Sequence, residues 1–301
     1  MVILWIILAL IPFYGLILPY FLMLIAQHKW RFLVVGAPKP GEIHYEASQS
    51  YLKAPKEIWE IHREKWTLYG DYLPAEIPTH KTILMANGYH STRATFSPHA
   101  WLFHRLGYNV LNPEHFGDTE AQGHYVGFGW PDRADYKAWL QLILQKDPEA
   151  EMVMYGVSMG AASSLMLSGE PDLPQALHAF IADCGYTSLW DEMAHQITQL
   201  YHIPTTWPLL PMMSFYSKLF VGYGYKEASS LVQVPKNTRP ILLIHGAKDN
   251  FVPFWMLDKI AQAIVSEKQV EVFQEAGHAM SFWSEPERYE NSIRDFLKKK
   301  L

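Results

Sequence analysis

The stretch Gly156-Val157-Ser158-Met159-Gly160 constrains the fold more than any other part of the chain, because of what flanks it. The apolar run 151–155 before it reads as a buried strand, and 161–167 after it, made of Ala, Ser, Leu and Met, reads as a helix. A glycine two residues to either side lets the strand turn abruptly into the helix. The serine then sits at a strained corner with its hydroxyl pushed out above the sheet. Ser158 is therefore the candidate nucleophile.

The rest of the chain supplies a matching rhythm. Apolar runs bounded by turn residues recur at 81–86, 108–111, 151–157, 178–182, 240–245 and 269–273, with helix-length patterns between them. Alternating strand and helix predicts an α/β fold with a mostly parallel sheet flanked by helices. The rhythm breaks after Tyr186. Trp190, Tyr201, Trp207, Phe215, Tyr216 and Phe220 crowd a region without a clear strand, so a small helical cap is expected at about 187–231. Residues 27–78 are expected to form a tether and helical lead-in, with a helix around 56–66, and 79–301 the main domain.

Residues 1–26 contain no charged side chain, and about 20 apolar residues suffice to cross a bilayer. Without a basic leading region this reads as an uncleaved transmembrane segment, separate from the catalytic domain, rather than a signal peptide. Lys29, Arg31 and Lys39 follow on its C-terminal side, which leans the domain towards the cytoplasm. Elsewhere, hydrophobic residues at 49% and charged residues at 18% exclude a disordered chain. A net charge of −5 argues against nucleic acid as a partner. One cysteine, Cys184, allows neither an internal disulfide nor a thiolate metal cluster. With no H-E-x-x-H, no phosphate-binding loop and no G-x-G-x-x-G, no metal and no cofactor are expected.

A serine hydroxyl needs a general base and an acid to orient that base. Asp249 lies just beyond the strand 240–245, and His278 just beyond the strand 269–273. The interval between them holds one helix and one strand, which returns both to the sheet edge where Ser158 stands. Asp183, at the end of 178–182, competes as the acid but reads better as a brace for the loop entering the cap. Asp135 reads as a structural residue at the start of a helix, satisfying free backbone N–H groups there. Oxyanion donors are expected from the backbone N–H groups of Met159 and Tyr89, with Gly88 permitting close approach.

From about residue 81 onward the chain resembles the α/β-hydrolase superfamily. It looks closest to bacterial membrane-anchored or secreted serine hydrolases related to α/β-hydrolase domain-containing proteins 12 and 13 and to serine aminopeptidases. The stretches 123–139, 156–170, 183–192 and 245–253 carry the likeness. It implies an α/β-hydrolase fold and ester hydrolysis through an acyl-serine, with Ser158, Asp249 and His278 matching the triad motifs. Two departures stand out. Asn87-Gly88 replaces the usual His-Gly, and Pro113-Glu114-His115-Phe116-Gly117-Asp118 replaces the usual Asp-x-Arg-Gly-x-Gly. The expected activity is cleavage of small-molecule esters with neutral, apolar acyl groups. A peptidase or acyltransferase on the same triad, and a non-catalytic membrane-tethered scaffold, are the alternatives.

Overall fold

The computed structural model describes residues 12–28, 35–63, 66–117 and 122–301. A π-helical turn, Phe13–Ile17, leads into α1 (Leu18–Gln27), followed by α2 (Tyr45–Lys53), β1 (Glu57–Arg63) and β2 (Trp66–Leu73). Next come β3 (Lys81–Ala86), α3 (Ser97–Arg105), β4 (Asn109–Pro113), α4 (Asp132–Lys146), β5 (Glu151–Val157), α5 (Met159–Ser168) and β6 (Leu177–Asp183). The cap region holds α6 (Leu189–His195), a π-helical turn Gln196–Leu200, α7 (Leu209–Phe220) and the short α8 (Ser230–Gln233). The chain closes with β7 (Ile241–Gly246), α9 (Trp255–Ala263), β8 (Lys268–Phe273), α10 (Ser281–Ser284) and α11 (Pro286–Leu297).

The eight strands form one sheet in the order β1-β2-β4-β3-β5-β6-β7-β8, antiparallel at β1-β2-β4 and parallel from β4 through β8. The central strands are apolar on both faces because helices cover both sides, which is why they read as unbroken apolar runs. Side chains alternate between two cores along each strand. Leu84, Met152, Met154, Phe180 and Leu243 pack with α4, α5 and α9 residues such as Trp139, Leu165 and Ile260. Ile83, Val153, Tyr155, Ile181 and Leu242 pack on the other face with Phe103 of α3 and Ile293 and Phe296 of α11.

Two expectations need correction. The stretch 56–66 is mostly strand β1, not helix; Trp59 and Ile61 point inwards while Ile58 and Glu60 are exposed, a period-two pattern fixed by pairing to β2. The helix of this lead-in lies earlier, at α2. The second concerns the expectation that the N-terminal segment is separate from the catalytic domain. Residues 1–11 of the expected span, with Lys29 and Arg31 beyond it, lie outside the described residues, and no described helix is long and apolar enough to cross a membrane. Residues 12–28 pack on the cap rather than standing apart from the domain. Met23 is fully buried in a third apolar cluster with Leu210 and Met213 of α7, and Tyr20 packs edge-on against Tyr216 at 5.4 Å. Gln27 is buried: its Nε2 donates to Tyr223 Oη at 2.9 Å, and its carbonyl accepts from Val126 N at 2.7 Å. Hydropathy counts apolar side chains without showing what covers them, so it could not distinguish a docked helix from a free one.

Docking of α1 is therefore part of the folding energy. Met23→Ala should lower stability by about 2–5 kcal/mol, the range for a buried methionine truncated to alanine, seen as a lower unfolding midpoint in denaturant.

Candidate active site

The corner after β5 is built by close approach. A Cβ on Gly156 would lie 2.2 Å from the Gly160 carbonyl oxygen, and one on Gly160 would lie 1.9 Å from that of Ala86, so neither position admits a side chain. Between them Ser158 holds φ 57° and ψ −117°, a left-handed conformation that costs a non-glycine residue energy. Its N–H is fixed by a 2.8 Å bond to the Asp183 carbonyl at the end of β6.

Ser158, His278 and Asp249 form one hydrogen-bonded chain. Ser158 Oγ lies 2.8 Å from His278 Nε2, and His278 Nδ1 lies 2.8 Å from Asp249 Oδ2. With Nδ1–H donating to the carboxylate, Nε2 is left to accept from the serine hydroxyl, the tautomer that general-base catalysis requires. The Asp249 carboxylate is fully shielded from solvent, whereas 23% of the His278 side chain is exposed. The acid is thus locked while the base stays reachable. Asp249 Oδ1 accepts from Phe251 N and Val252 N, both at 2.9 Å, and His245 Nε2 donates to the Val252 carbonyl at 2.9 Å. Burial lowers the pKa of His245, which favours its neutral, bracing form. His245 precedes Gly246 in the motif that pointed to Asp249, yet nothing in the sequence marks it as a brace.

The two segments expected to carry the oxyanion donors meet at this serine. Met159 opens α5, where N–H groups have no carbonyl partner within the helix. Gly88, just before Tyr89, abuts the corner: a Cβ there would lie 3.7 Å from Ser158 Cβ. The two departures from the superfamily pattern meet behind this loop. Asn87 Nδ2 donates to Asn112 Oδ1 and to the Pro113 carbonyl, both at 3.0 Å. His115 Nε2 donates to the Asn87 carbonyl at 2.6 Å, and the Tyr136 hydroxyl lies against the same ring. Asn87 and His115 together anchor the loop to the end of β4. His115 is fully buried, and desolvation lowers its pKa, so it serves here as a neutral donor.

A model of the prolyl oligopeptidase family matches residues 95–301. The chain belongs to this family. Among curated proteins it is 27% identical to the uncharacterized protein YqkD of Bacillus subtilis (strain 168) over 227 residues, covering 75% of this chain and 74% of that one. Among solved structures it is similar to a Pyrococcus furiosus esterase, with a TM-score of 0.67 at 20% identity over 89% of this chain and 98% of that one. It is also similar to the Pyrococcus horikoshii acylaminoacyl peptidase, with a TM-score of 0.62 at 16% identity over 84% of this chain and 43% of that one. A third likeness is to α/β-hydrolase domain-containing protein 10 from mouse, with a TM-score of 0.57 at 20% identity over 81% of this chain and 99% of that one. These likenesses show the α/β-hydrolase fold, and the family makes the chain a serine hydrolase.

In this member of the prolyl oligopeptidase family, the other candidate acids turn away from the imidazole. Asp183 Oδ2 accepts from Tyr289 Oη at 2.9 Å, and Tyr289 in turn bonds Tyr155 at 2.7 Å, so Asp183 braces the floor under Ser158. Asp135 pairs with Arg63 of β1, whereas the neighbouring Asp132 accepts from Gly129 N at 2.7 Å at the start of α4. The expectation that Asp135 satisfies backbone N–H groups there is thus corrected in partner. The Cys184 sulfur sits within 4.8 Å of the ligand atoms of Asp249 and His278. Those two are bonded to each other, and burial drives the thiol pKa far up, so Cys184 packs as a neutral thiol below the chain of hydrogen bonds.

Burial pushes the Asp183 carboxyl up to about 7 and that of Glu192, whose Oε1 accepts from Gln196 Nε2, up to about 8. Both acids hold their protons more tightly folded than unfolded. Above an unfolded carboxylate pKa of about 4 the unfolded chain has released protons that the native state keeps, so stability falls as pH rises towards these folded values. The unfolding temperature should therefore drop between pH 5 and 8. Asp183→Asn should flatten that slope, as checked by thermal unfolding across the range.

Proposed function

We propose that this chain is a serine esterase in which Ser158 is the nucleophile, His278 the general base and Asp249 the orienting acid. The observation that carries this reading is the unbroken chain of two 2.8 Å hydrogen bonds ending at a strained, partly exposed serine. Ser158 Oγ attacks the ester carbonyl while Nε2 takes its proton, and Asp249 stabilises the imidazolium that forms. The oxyanion gathers donors from the Met159 and Tyr89 N–H groups. His278 returns the proton to the leaving alkoxide, giving an alcohol and an acyl-Ser158. Water, deprotonated by the same nitrogen, then attacks the acyl group and releases the acid.

Neutral, apolar acyl groups are the proposed substrates. Met159 belongs to the apolar cluster that cap residues Leu189, Ile197, Leu210 and Met213 complete, with Tyr89 packed at its edge. The two lysines of the cap are engaged elsewhere, Lys218 with Glu227 at 2.9 Å and Lys226 over the Trp190 ring at 4.4 Å. Neither is set to hold an anionic acyl group. Amide cleavage is the second reading, favoured by the prolyl oligopeptidase family match. Membrane attachment through residues 1–26 is also part of the proposal, supported by their charge-free sequence. The basic flank Lys29, Arg31 and Lys39 favours a cytoplasmic domain.

With p-nitrophenyl esters, Ser158→Ala and His278→Ala should each lower turnover by roughly 10⁴–10⁶, and Asp249→Asn by about 10⁴. Near-normal turnover in any of the three would overturn the assignment. Each methylene added to the acyl chain should raise kcat/KM by about three- to fourfold until the pocket fills, since each buries about 0.8 kcal/mol. A flat profile, or faster cleavage of aminoacyl-p-nitroanilides, would favour the peptidase reading instead.

A further inference from the structure

The N-terminal helix and the cap helix share an outward apolar face that the chemistry of the site does not use. α1 turns Pro19, Met23 and Gln27 inwards, so Ile17, Phe21 and Ile25 fall on the opposite side of the helix. α7 turns Leu210, Met213 and Ser217 inwards, which leaves Phe215 and Leu219 facing out. The helices lie against each other through Tyr20, whose ring is 5.4 Å from that of Tyr216 and 5.7 Å from that of Phe220. Their outer sides therefore form one surface. Phe21 is 54% exposed and Leu219 63% exposed, and Trp207, just before α7, is 70% exposed. Residues 12–27 carry no charge, and the single charge of α7, Lys218, is paired with Glu227.

We propose that this surface is a seat on a lipid bilayer, in which α1 and α7 lie along the membrane with their outer side chains in the acyl boundary. The chain that precedes it selects this occupant. Residues 1–11, Met-Val-Ile-Leu-Trp-Ile-Ile-Leu-Ala-Leu-Ile, run directly into this surface without a charge, so lipid suits both the segment and the face it joins. A second copy of the protein would cover the helix faces but would leave that segment to be buried separately. Trp207 has the amphipathic ring that favours the level of the headgroups. With so few charges on the face, attachment should need no anionic lipid and should survive high salt. The seat differs from a simple N-terminal anchor because it brings the cap itself into contact with lipid.

A fluorophore placed on the face tests this directly. In the full-length protein, Leu219→Cys is labelled with nitrobenzoxadiazole, and Ile77→Cys, 80% exposed and preceding β3, serves as the control. The native Cys184 is buried and stays unlabelled. On phosphatidylcholine vesicles the probe at 219 should shift to the blue and brighten severalfold, equally in low and high salt, while the probe at 77 stays at its value in water. An unchanged 219 probe overturns the proposal, whether or not the protein floats with the vesicles. A blue shift at 219 that grows with protein concentration in the absence of vesicles, together with a dimer in sedimentation, also overturns it in favour of a second copy.

Discussion

Placing a serine at φ 57° between two glycines that touch backbone carbonyls fixes much more than one side chain. The turn closes only if β3 and β6 run level with β5, because Gly160 packs on the Ala86 carbonyl and Ser158 N–H bonds to that of Asp183. The register agrees: Ala86 pairs with Gly156, Asp183 with Val157, and Ile244 with Asp183. The loops after β3, β5 and β7 therefore leave the sheet at one level and bring the oxyanion loop, nucleophile and acid together. The imidazole arrives from the loop after β8, which is parallel to β7.

Behind the oxyanion loop, a substitution in one place is answered in another. Asparagine at 87 gives up an imidazole at that position but supplies two donors to the end of β4. The imidazole reappears as His115, reaching back to the carbonyl of the same residue. A buried carbonyl left unpaired would cost about 1–3 kcal/mol, so the pair reads as one unit that holds the loop rather than as two independent losses. The second ring of support runs from Asn112 Nδ2 to the Arg93 carbonyl, and Arg93 pairs with Asp71.

Much of this was legible before the structure because it follows from local rules. The six parallel strands announce themselves as apolar runs, and the corner at Ser158 by its glycines. Asp249 and His278 follow from their places after successive strands. What escaped the sequence depends on contacts between distant segments. Strand β1 carries Glu57, Glu60, His62 and Arg63, a composition as compatible with a helix until pairing with β2 and burial of Trp59 decide the matter. The docking of residues 12–27 on the cap is equally hidden, because nothing local shows that Gln27 finds two tyrosines nearly 200 residues later. The partners of Asp135, Asp183 and Asn87 likewise come from Arg63, Tyr289 and His115, whose spacing carries no signal.

The central claim is that Ser158 carries the acyl group. The most direct measurement is to react the full-length protein with a fluorophosphonate and map the adduct by peptide mass spectrometry. A single adduct on Ser158, lost when the protein is first unfolded, is the expected result. An adduct on another residue, or equal labelling of folded and unfolded protein, would contradict it.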